Sequence, residues 1–550
     1  MSLLGDKEAY ILKKQFNRFM QYINGIQDLI LILYTTLIFS AYFFFTTGQV
    51  TYWIRWTLFV LALSVVVCPW LIRWLKTGDF CRAEEAQGIR RKDRKWRLIF
   101  LLVPLSVLLL KYVIYYPGAM STDSLWQYEQ AVTGKYNDWH PVIQTILSIT
   151  LPLKLTGGWI GSITLFQILA LGLTITYALF TIREYAGDRF AFLSMLFMVL
   201  NPSVTNTAMF PWKDVTFGIG ALLLASFSLR ICMTHGKWIT KPVNAVVFVI
   251  TAALTSVVRH NGPLFIIPLV LAVVLWVGFR KTILVCVGIV ILVAGIKIPL
   301  YSALNVQPAG ERKIEMLGLP LNVIAAVAKY APQDLDEETR SFVQEAGPKE
   351  VWNRYEYGNF NNVKWEPGFE DAVVEKHADR ILPMAWSCLT RNPQEAIRGL
   401  IRLTDVVYTV CDDYKYFDFP FPAEDEYGFE KGGIPVLQVV NEKASLVLFT
   451  ILPWLFLYIG AMHYSLLAVG LARFRLNRWK DWKKIFFVLP IFIYNFGTTL
   501  LLTSAHDSAR FFCYTFLVTP VALVLLCRKD EEEDEPEKGI RIKRTESRIS

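Results

Sequence analysis

The sequence has little charge for its length. Only 19% of its 550 residues are Asp, Glu, Lys or Arg, while 54% are hydrophobic and the mean hydropathy is +0.38. Soluble globular proteins carry nearer a quarter charged residues. Apolar runs long enough to cross a bilayer recur along the chain, and they lack the alternation of transmembrane β-strands. These absences exclude an ordinary soluble protein and a membrane β-barrel, and they predict an all-α polytopic membrane protein.

Several other features are missing. The eight cysteines form no CxxC pair, and most lie in or beside apolar runs, where a buried small hydrophobe is the default interpretation. Cys388 and Cys411 share one large loop and would pair only if it faces an oxidising compartment. No cleavable signal peptide is evident, and no internal repeat supports an inverted-repeat transporter. The net charge of +9 is explained by basic loops, so no nucleic-acid partner is predicted.

The apolar runs predict about twelve spans, near 28–47, 53–75, 98–116, 159–182, 190–209, 214–233, 243–258, 263–279, 282–303, 445–470, 485–503 and 510–527. They divide the chain into an N-terminal segment (1–97), a membrane core (98–303, with a first outer loop at 117–158), a small folded extracytoplasmic subdomain (304–444), a three-span part (445–527) and a disordered cytoplasmic tail (528–550).

The distribution of Lys and Arg predicts the orientation. The loop 76–97 carries eight basic residues and the loop 473–484 carries six. With an even number of spans these loops share one side with both termini, and the positive-inside rule makes that side the cytoplasm. The stretch 141–156 would reverse the later loops if it crossed, so we assign it to a helix lying on the outer surface.

The outer side then holds a polar first loop, "YYPGAMSTDSLWQYEQAVTGKYNDWHP" (115–141), and few cations outside the large loop. Three of those cations begin or end spans beside another polar group, in "PWKD", "RHNG" and "SAHDSAR". Ionisable groups at membrane depth are functional candidates, although each one alone equally suits an interfacial anchor. Cations suit a lipid-linked phosphate, and a nearby acid suits a general base acting on a hydroxyl. Together they predict a transferase that uses a phospholipid-type carrier.

The first loop, "PWKD", "RHNG" and "HDSAR", in this order and on one side, resemble the GT-C superfamily of multi-pass glycosyltransferases over roughly 98–303 and 445–527. The resemblance implies a polyprenyl-phosphate-linked sugar donor, an inverting transfer, and a glycan, lipid or protein acceptor in the cell envelope. It places the enzyme in the cytoplasmic membrane of a bacterium with its active site outside. By the resemblance Asp123 is the catalytic base. Substrate-binding roles fall to Gln127, Asp138, His140, Lys213, Asp214, Arg259, His260, Asn261, His506, Asp507 and Arg510.

The chain departs from the family pattern in its lone first-loop acid, because many members carry a close acid pair there. No metal cofactor is therefore predicted. Asp123 also suits a helix N-cap, His140 a turn before Pro141, and Gln127 a solvent-facing position. Two rival functions remain: a transporter or flippase for a lipid-linked or anionic solute, and a polysaccharide polymerase or ligase.

Overall fold

Helices form all the regular elements in the part of the chain that the structure, a computed structural model, describes. That part is residues 25–47, 50–77, 94–308, 313–410, 432–476, 482–501, 505 and 509–527. Within these ranges strand-like pairing is limited to isolated bridges, such as that between Asn137 and Gln307. The tail 528–550 and most of the basic loop 76–97 lie outside the described residues.

Eight described helices are long and apolar enough to cross a membrane, which confirms a multi-pass α-helical membrane protein. They are Ile26–Thr47, Val50–Thr77, Arg94–Ile114, Gly161–Leu200, Lys213–Met233, Phe279–Ala303, Trp482–Leu501 and a final segment made of the short 3-10 turn Ala509–Phe512 and Tyr514–Cys527. Shorter apolar helices are Pro242–Val257, Pro263–Val277 and Ile459–Leu476.

Two predicted spans, 159–182 and 190–209, belong to one helical run, Gly161–Leu200. The run breaks sharply at Gly187, whose φ of 84° and ψ of 174° are accessible to glycine at no steric cost. The predicted extension to 209 is wrong, because the run ends at Leu200. Asn201 then caps a separate short helix, Pro202–Thr207, by accepting a hydrogen bond from the Ser203 N–H.

The predicted span 445–470 is also wrong as a single helix. It divides into Pro435–Ile451, the turn Pro453–Phe456 and Ile459–Leu476. Pro453 has no N–H to continue the first helix, and it disfavours helical geometry at the preceding residue. The first of these helices therefore straddles the predicted domain boundary at 444/445.

Lys213–Met233 and Tyr514–Cys527 are the most buried of the apolar helices and pack against each other in the main core. The Phe217 ring stacks on Tyr494 with centroids 4.5 Å apart and meets Tyr514 edge-on at 5.1 Å. A helix that is apolar on all sides is stable when surrounded by other helices or lipid. This packing fixes the polar N-terminal ends of both segments at the same end of the bundle.

A second hydrophobic core lies in the segment that follows Phe279–Ala303. It is built around Trp352, Tyr355 and Phe360, all nearly inaccessible to solvent. Cys388 is buried in this core, whereas Cys411 lies outside the described residues. The subdomain helices are Lys313–Met316, Gly318–Tyr330, Glu337–Ala346, Lys349–Trp352, Asn361–Lys364, Asp371–Lys376, Ile381–Arg391 and Pro393–Thr404, with 3-10 turns at Pro332–Asp334 and Asp405–Val407.

The first loop contributes one helix, Thr122–Thr133, followed by a two-faced segment. That segment comprises Val142–Thr145, a π-helical turn at Ile146–Thr150 and Leu151–Leu155. Ile143, Ile149 and Leu153 face the protein, while the leucines at 147, 151 and 155 are exposed. This is the amphipathic pattern expected from the sequence.

Candidate functional site

Asp123 lies in the first turn of the helix Thr122–Thr133, which is capped at both ends by other residues. Its N-cap is Ser121, whose Oγ accepts a hydrogen bond from the Ser124 N–H, and Gly134 ends it with φ 70°. The interpretation of Asp123 as the cap is therefore wrong. Because Ser121 satisfies the helix terminus, the Asp123 carboxylate is available for other contacts.

Asp123 forms an ion pair with Arg510. The Arg510 Nη2 lies 2.6 Å from the Asp123 Oδ2, although 387 positions separate the two residues in the chain. The guanidinium of Arg510 also lies over the Trp212 ring, 4.5 Å from its centroid. Trp212 in turn donates from Nε1 to the Ser121 Oγ at 2.7 Å. The first loop, the loop before Lys213 and the last apolar segment are thus joined in one contact chain.

The charges around Asp123 control its protonation. Burial by itself raises the pKa of the carboxyl, but the positive charges of Arg510, Lys213 and His140 outweigh burial and lower the pKa to about 2. Asp123 is consequently an anion at every physiological pH. While these cations surround it, the carboxylate is a weak base.

Lys213 and His140 form a second contact at the same place. The Lys213 Nζ lies 3.2 Å from the Nδ1 of His140, within hydrogen-bond distance. The His140 side chain is buried, so it is more than an exposed turn residue. Lys213 is the first residue of its helix and follows Trp212, which places its ammonium beside the Asp123–Arg510 pair.

Arg259 lies deeper than the other cations. It is paired with Asp214, and both side chains are almost completely buried. The Arg259 Nε donates to the Asn261 Oδ1 at 3.0 Å, and its guanidinium lies 4.6 Å from the centroid of the Phe511 ring. The Nδ2 of Asn261 donates to Thr498 at 2.8 Å. A buried charge needs such partners, and this pair supports the wall of the site with a net charge near zero.

The subdomain supplies the other wall, which the sequence did not predict. Lys364 forms an ion pair with Glu315, and its ammonium lies 4.4 Å from the centroid of the Trp365 ring. Burial lowers the pKa of Lys364 to about 8. Glu315 is a second acid beside Asp123 in this part of the protein. The sequence contained no sign of it, because Glu315 comes from a different segment whereas the family pattern places its acid pair within the first loop.

These groups enclose one cavity of about 660 Å³, a size typical of small-molecule sites. Its lining includes the four residues proposed from the sequence as base and phosphate ligands, together with His140, His260 and Asn261. The full lining is Thr122, Asp123, Trp126, Trp139, His140, Lys213, Arg259, His260, Asn261, Glu315, Met316, Asn361, Lys364, Trp365, Thr498, Arg510 and Phe511.

Three of the proposed binding residues do not line this cavity. Gln127 is buried and donates to Gln144 and Thr145, so it fixes the first-loop helix to the following segment. Asp138 accepts a hydrogen bond from the Tyr301 hydroxyl at 2.6 Å. Asp214 lies behind the wall as the partner of Arg259. The interpretation of Gln127 as solvent-facing is wrong. His506 and Asp507 lie outside the described residues.

Within the described ranges no three His, Cys, Asp or Glu side chains are grouped as metal ligands would be. The acids that line the cavity, Asp123 and Glu315, are each paired with a cation. The arrangement instead provides what an anion with a nearby hydroxyl requires: cationic donors beside a carboxylate.

The fold and site together define a multi-pass helical membrane protein with a charged cavity at one end of its bundle. A family described as a family of unknown function (DUF6020) matches residues 137–346, less than half of the chain. The match includes Lys213, Arg259 and Glu315 but not Asp123 or Arg510. No curated protein and no solved structure matches the chain.

Proposed function

We propose that the protein is a GT-C-type glycosyltransferase that moves a sugar from a polyprenyl phosphate to a cell-envelope acceptor. The carrying observation is the convergence of Asp123, Lys213 and Arg510, from three distant segments, on one cavity. Lys213 and Arg510 stand at the first residues of apolar segments, where the phosphate of a membrane-embedded lipid would lie. Arg259, neutralised by Asp214, supports the wall beside them.

The proposed topology has twelve spans. The long apolar helices count as nine when Gly161–Leu200 is divided at Gly187, and Pro242–Val257, Pro263–Val277 and Ile459–Leu476 complete the set. Both termini and the basic loops then lie in the cytoplasm of a bacterium, and the cavity opens on the outer face. The two halves of a GT-C-like membrane core would be residues 98–303 and 445–527.

The proposed reaction is one inverting displacement. The donor phosphate binds Lys213 and Arg510, which reduces the positive charge felt by Asp123 and raises the pKa of its carboxyl from about 2. Asp123 then accepts the proton of the acceptor hydroxyl while the hydroxyl oxygen bonds to the anomeric carbon. The bond from that carbon to the phosphate oxygen breaks, and the two cations stabilise the lipid phosphate that leaves.

The transporter alternative requires polar groups exposed along a path through the bundle. Two amides inside the apolar helices, Gln167 and Asn495, have partners inside the protein. Gln167 donates to the carbonyls of Ala208 and Phe210, and Asn495 donates to His463 and Thr515. These contacts favour a structural role and therefore the enzyme.

The test is carrier release. Purified wild-type protein and the Asp123→Asn variant are given a set of polyprenyl-phosphate sugars with envelope extract as acceptor, and free polyprenyl phosphate is measured. Asp379→Asn, an exposed acid of the subdomain, is the matched control. We expect release by the wild type and the control only. Full release by Asp123→Asn would remove Asp123 from the mechanism, and no release from any donor would favour the transporter.

A further inference from the structure

Beside the charged cavity lies a second one of about 590 Å³. The two share Trp126, Trp139 and His140 in their linings, so they meet at these side chains. The second cavity is formed by the other end of the first loop and by Pro308 at the base of the subdomain. No residue proposed from the sequence as a phosphate ligand or base lines it.

The second cavity differs from the first in charge. The first has four cations, Lys213, Arg259, Arg510 and Lys364, against two acids in its lining, whereas the second has one lysine, Lys135, and one acid. That acid is Glu129, and both side chains are exposed. A cavity without an excess of cations does not favour a phosphate. Its electrostatics suit a neutral, polar ligand.

The remaining lining consists of aromatic rings and amides. Trp126 is 43% exposed although it lies in a cavity, and Trp139 stands across the shared boundary. The Oε1 of Gln130 accepts from the Asn137 N–H at 3.3 Å, and the Asn137 Oδ1 accepts from the Trp139 N–H at 3.0 Å. The Asn137 Nδ2 has no hydrogen-bond acceptor among the described residues, so the amide can donate to a ligand.

The loop is rigidly supported where these side chains meet. Asn137 forms a parallel bridge with Gln307, in which the Asp138 N–H donates to the Gln307 carbonyl at 3.0 Å and the Gln307 N–H donates to Tyr136 at 2.9 Å. Asp138 also accepts from the Tyr301 hydroxyl. Asp138 thus holds the loop that presents Asn137 and Trp139, which explains its polar contacts outside the charged cavity.

We infer that this second cavity is a saccharide site and that the acceptor of the reaction is a glycan. Sugar rings present hydroxyl groups that both donate and accept, and apolar C–H faces that pack on aromatic rings. Trp126, Gln130, Asn137 and Glu129 offer these complementary groups. A peptide would need apolar side-chain pockets or a free strand edge, and Pro308 is the one apolar residue of the described lining besides the tryptophans.

This assignment rests on the proposed function, because a glycan seated here reaches Asp123 through the boundary at Trp126 and His140. The acceptor then enters from the subdomain side, and the lipid donor from the membrane side. The substrate classes follow from the charge of each cavity: a phosphate anion in the first and a neutral sugar chain in the second.

The test measures saccharide binding without turnover. Wild-type protein in nanodiscs is screened on an array of neutral di- to hexasaccharides, and hits are titrated by tryptophan fluorescence with Trp126→Ala and Glu129→Gln. Trp386→Ala, which removes an exposed tryptophan of the subdomain, is the control. We expect Trp126→Ala to weaken binding about tenfold or more, Glu129→Gln to weaken it less, and the control to bind as the wild type.

The outcomes separate this inference from the proposed function. No binding of any saccharide, or equal binding by Trp126→Ala, overturns the saccharide site, and carrier release by the wild type would still support the transferase. Saccharide binding that depends on both Trp126 and Glu129, with no carrier release from any donor, supports the site and overturns the transferase.

Discussion

Replacing Asp123 by Asn should abolish transfer and at the same time tighten binding of the carrier phosphate. The Asp123 carboxylate contacts the cations that the phosphate needs, with the Arg510 Nη2 2.6 Å from its Oδ2. A lipid phosphate must compete with Asp123 for these cations and is repelled by the carboxylate. In the Asn variant both obstacles are absent, so the cations are free to bind phosphate.

The structure supplies the magnitude. The pKa of Asp123 falls from 3.8 to about 2, and each unit corresponds to 1.36 kcal/mol, so the surroundings favour the carboxylate by about 2 kcal/mol. The side chains of Asp123 and Arg510 are about a quarter exposed, and solvent screens their interaction, so this free energy is an upper limit. If the phosphate displaces most of that interaction, Asp123→Asn should bind polyprenyl phosphate up to roughly thirtyfold more tightly.

The assay is a titration of polyprenyl phosphate into protein in nanodiscs, followed by tryptophan fluorescence because Trp212 lies under Arg510. Asp379→Asn controls for the loss of one negative charge elsewhere. Equal or weaker binding by Asp123→Asn would refute the competition between carboxylate and phosphate. It would also remove the reason for the pKa of Asp123 to rise when the donor binds.

Three further results are expected. Lys213→Met should lower kcat/KM for carrier release by about 10²–10³-fold, measured under single-turnover conditions, and a loss below threefold would argue against phosphate contact. Asp214→Asn should lower the free energy of unfolding by about 3–5 kcal/mol, because it leaves Arg259 buried without its anion. In thermal unfolding assays the double variant with Arg259→Met should recover much of this loss. Equal melting temperatures of the single and the double variant would contradict the pairing. Because the free Asp123 carboxyl has a pKa of about 2, it loses its charge only as the pH falls toward 2, so it adds no acid limb to kcat/KM above about pH 4. A limb at higher pH should appear in kcat, which reports the donor complex, and its absence there would contradict the rise in pKa.

The membrane class could be predicted from the sequence alone because it depends on local quantities. Runs of about 20 apolar residues satisfy their own backbone as helices in lipid, wherever their neighbours lie. Helix ends were harder. The break at Gly187 falls between the predicted spans 159–182 and 190–209, but the end at Leu200 and the division at Pro453 were predicted wrongly. Hydropathy averages over the single residues on which such ends depend.

The charged residues Asp123, Lys213, Arg259 and Arg510 were found in the sequence because ionisable groups are rare beside apolar runs. Which of them face a shared space was decided only by tertiary packing. Asp123 pairs with Arg510, which lies 387 positions away in the chain. Asp214 directly follows Lys213, but it pairs with Arg259 and does not line the cavity. Adjacent helical residues point about 100° apart, so sequence proximity does not place side chains in the same cavity.

Glu315 and Lys364 show that sequence position also fails to reveal which further residues line the cavity. Their own segment reads as ordinary soluble sequence, and they reach the cavity only because the subdomain core around Trp352 fixes where it sits on the bundle. Hydrophobic periodicity and charge distribution along the chain determined that this is a helical membrane protein with polar groups at span ends. The long-range packing of helices decided which of those groups meet, because contacts between distant segments carry no local signal.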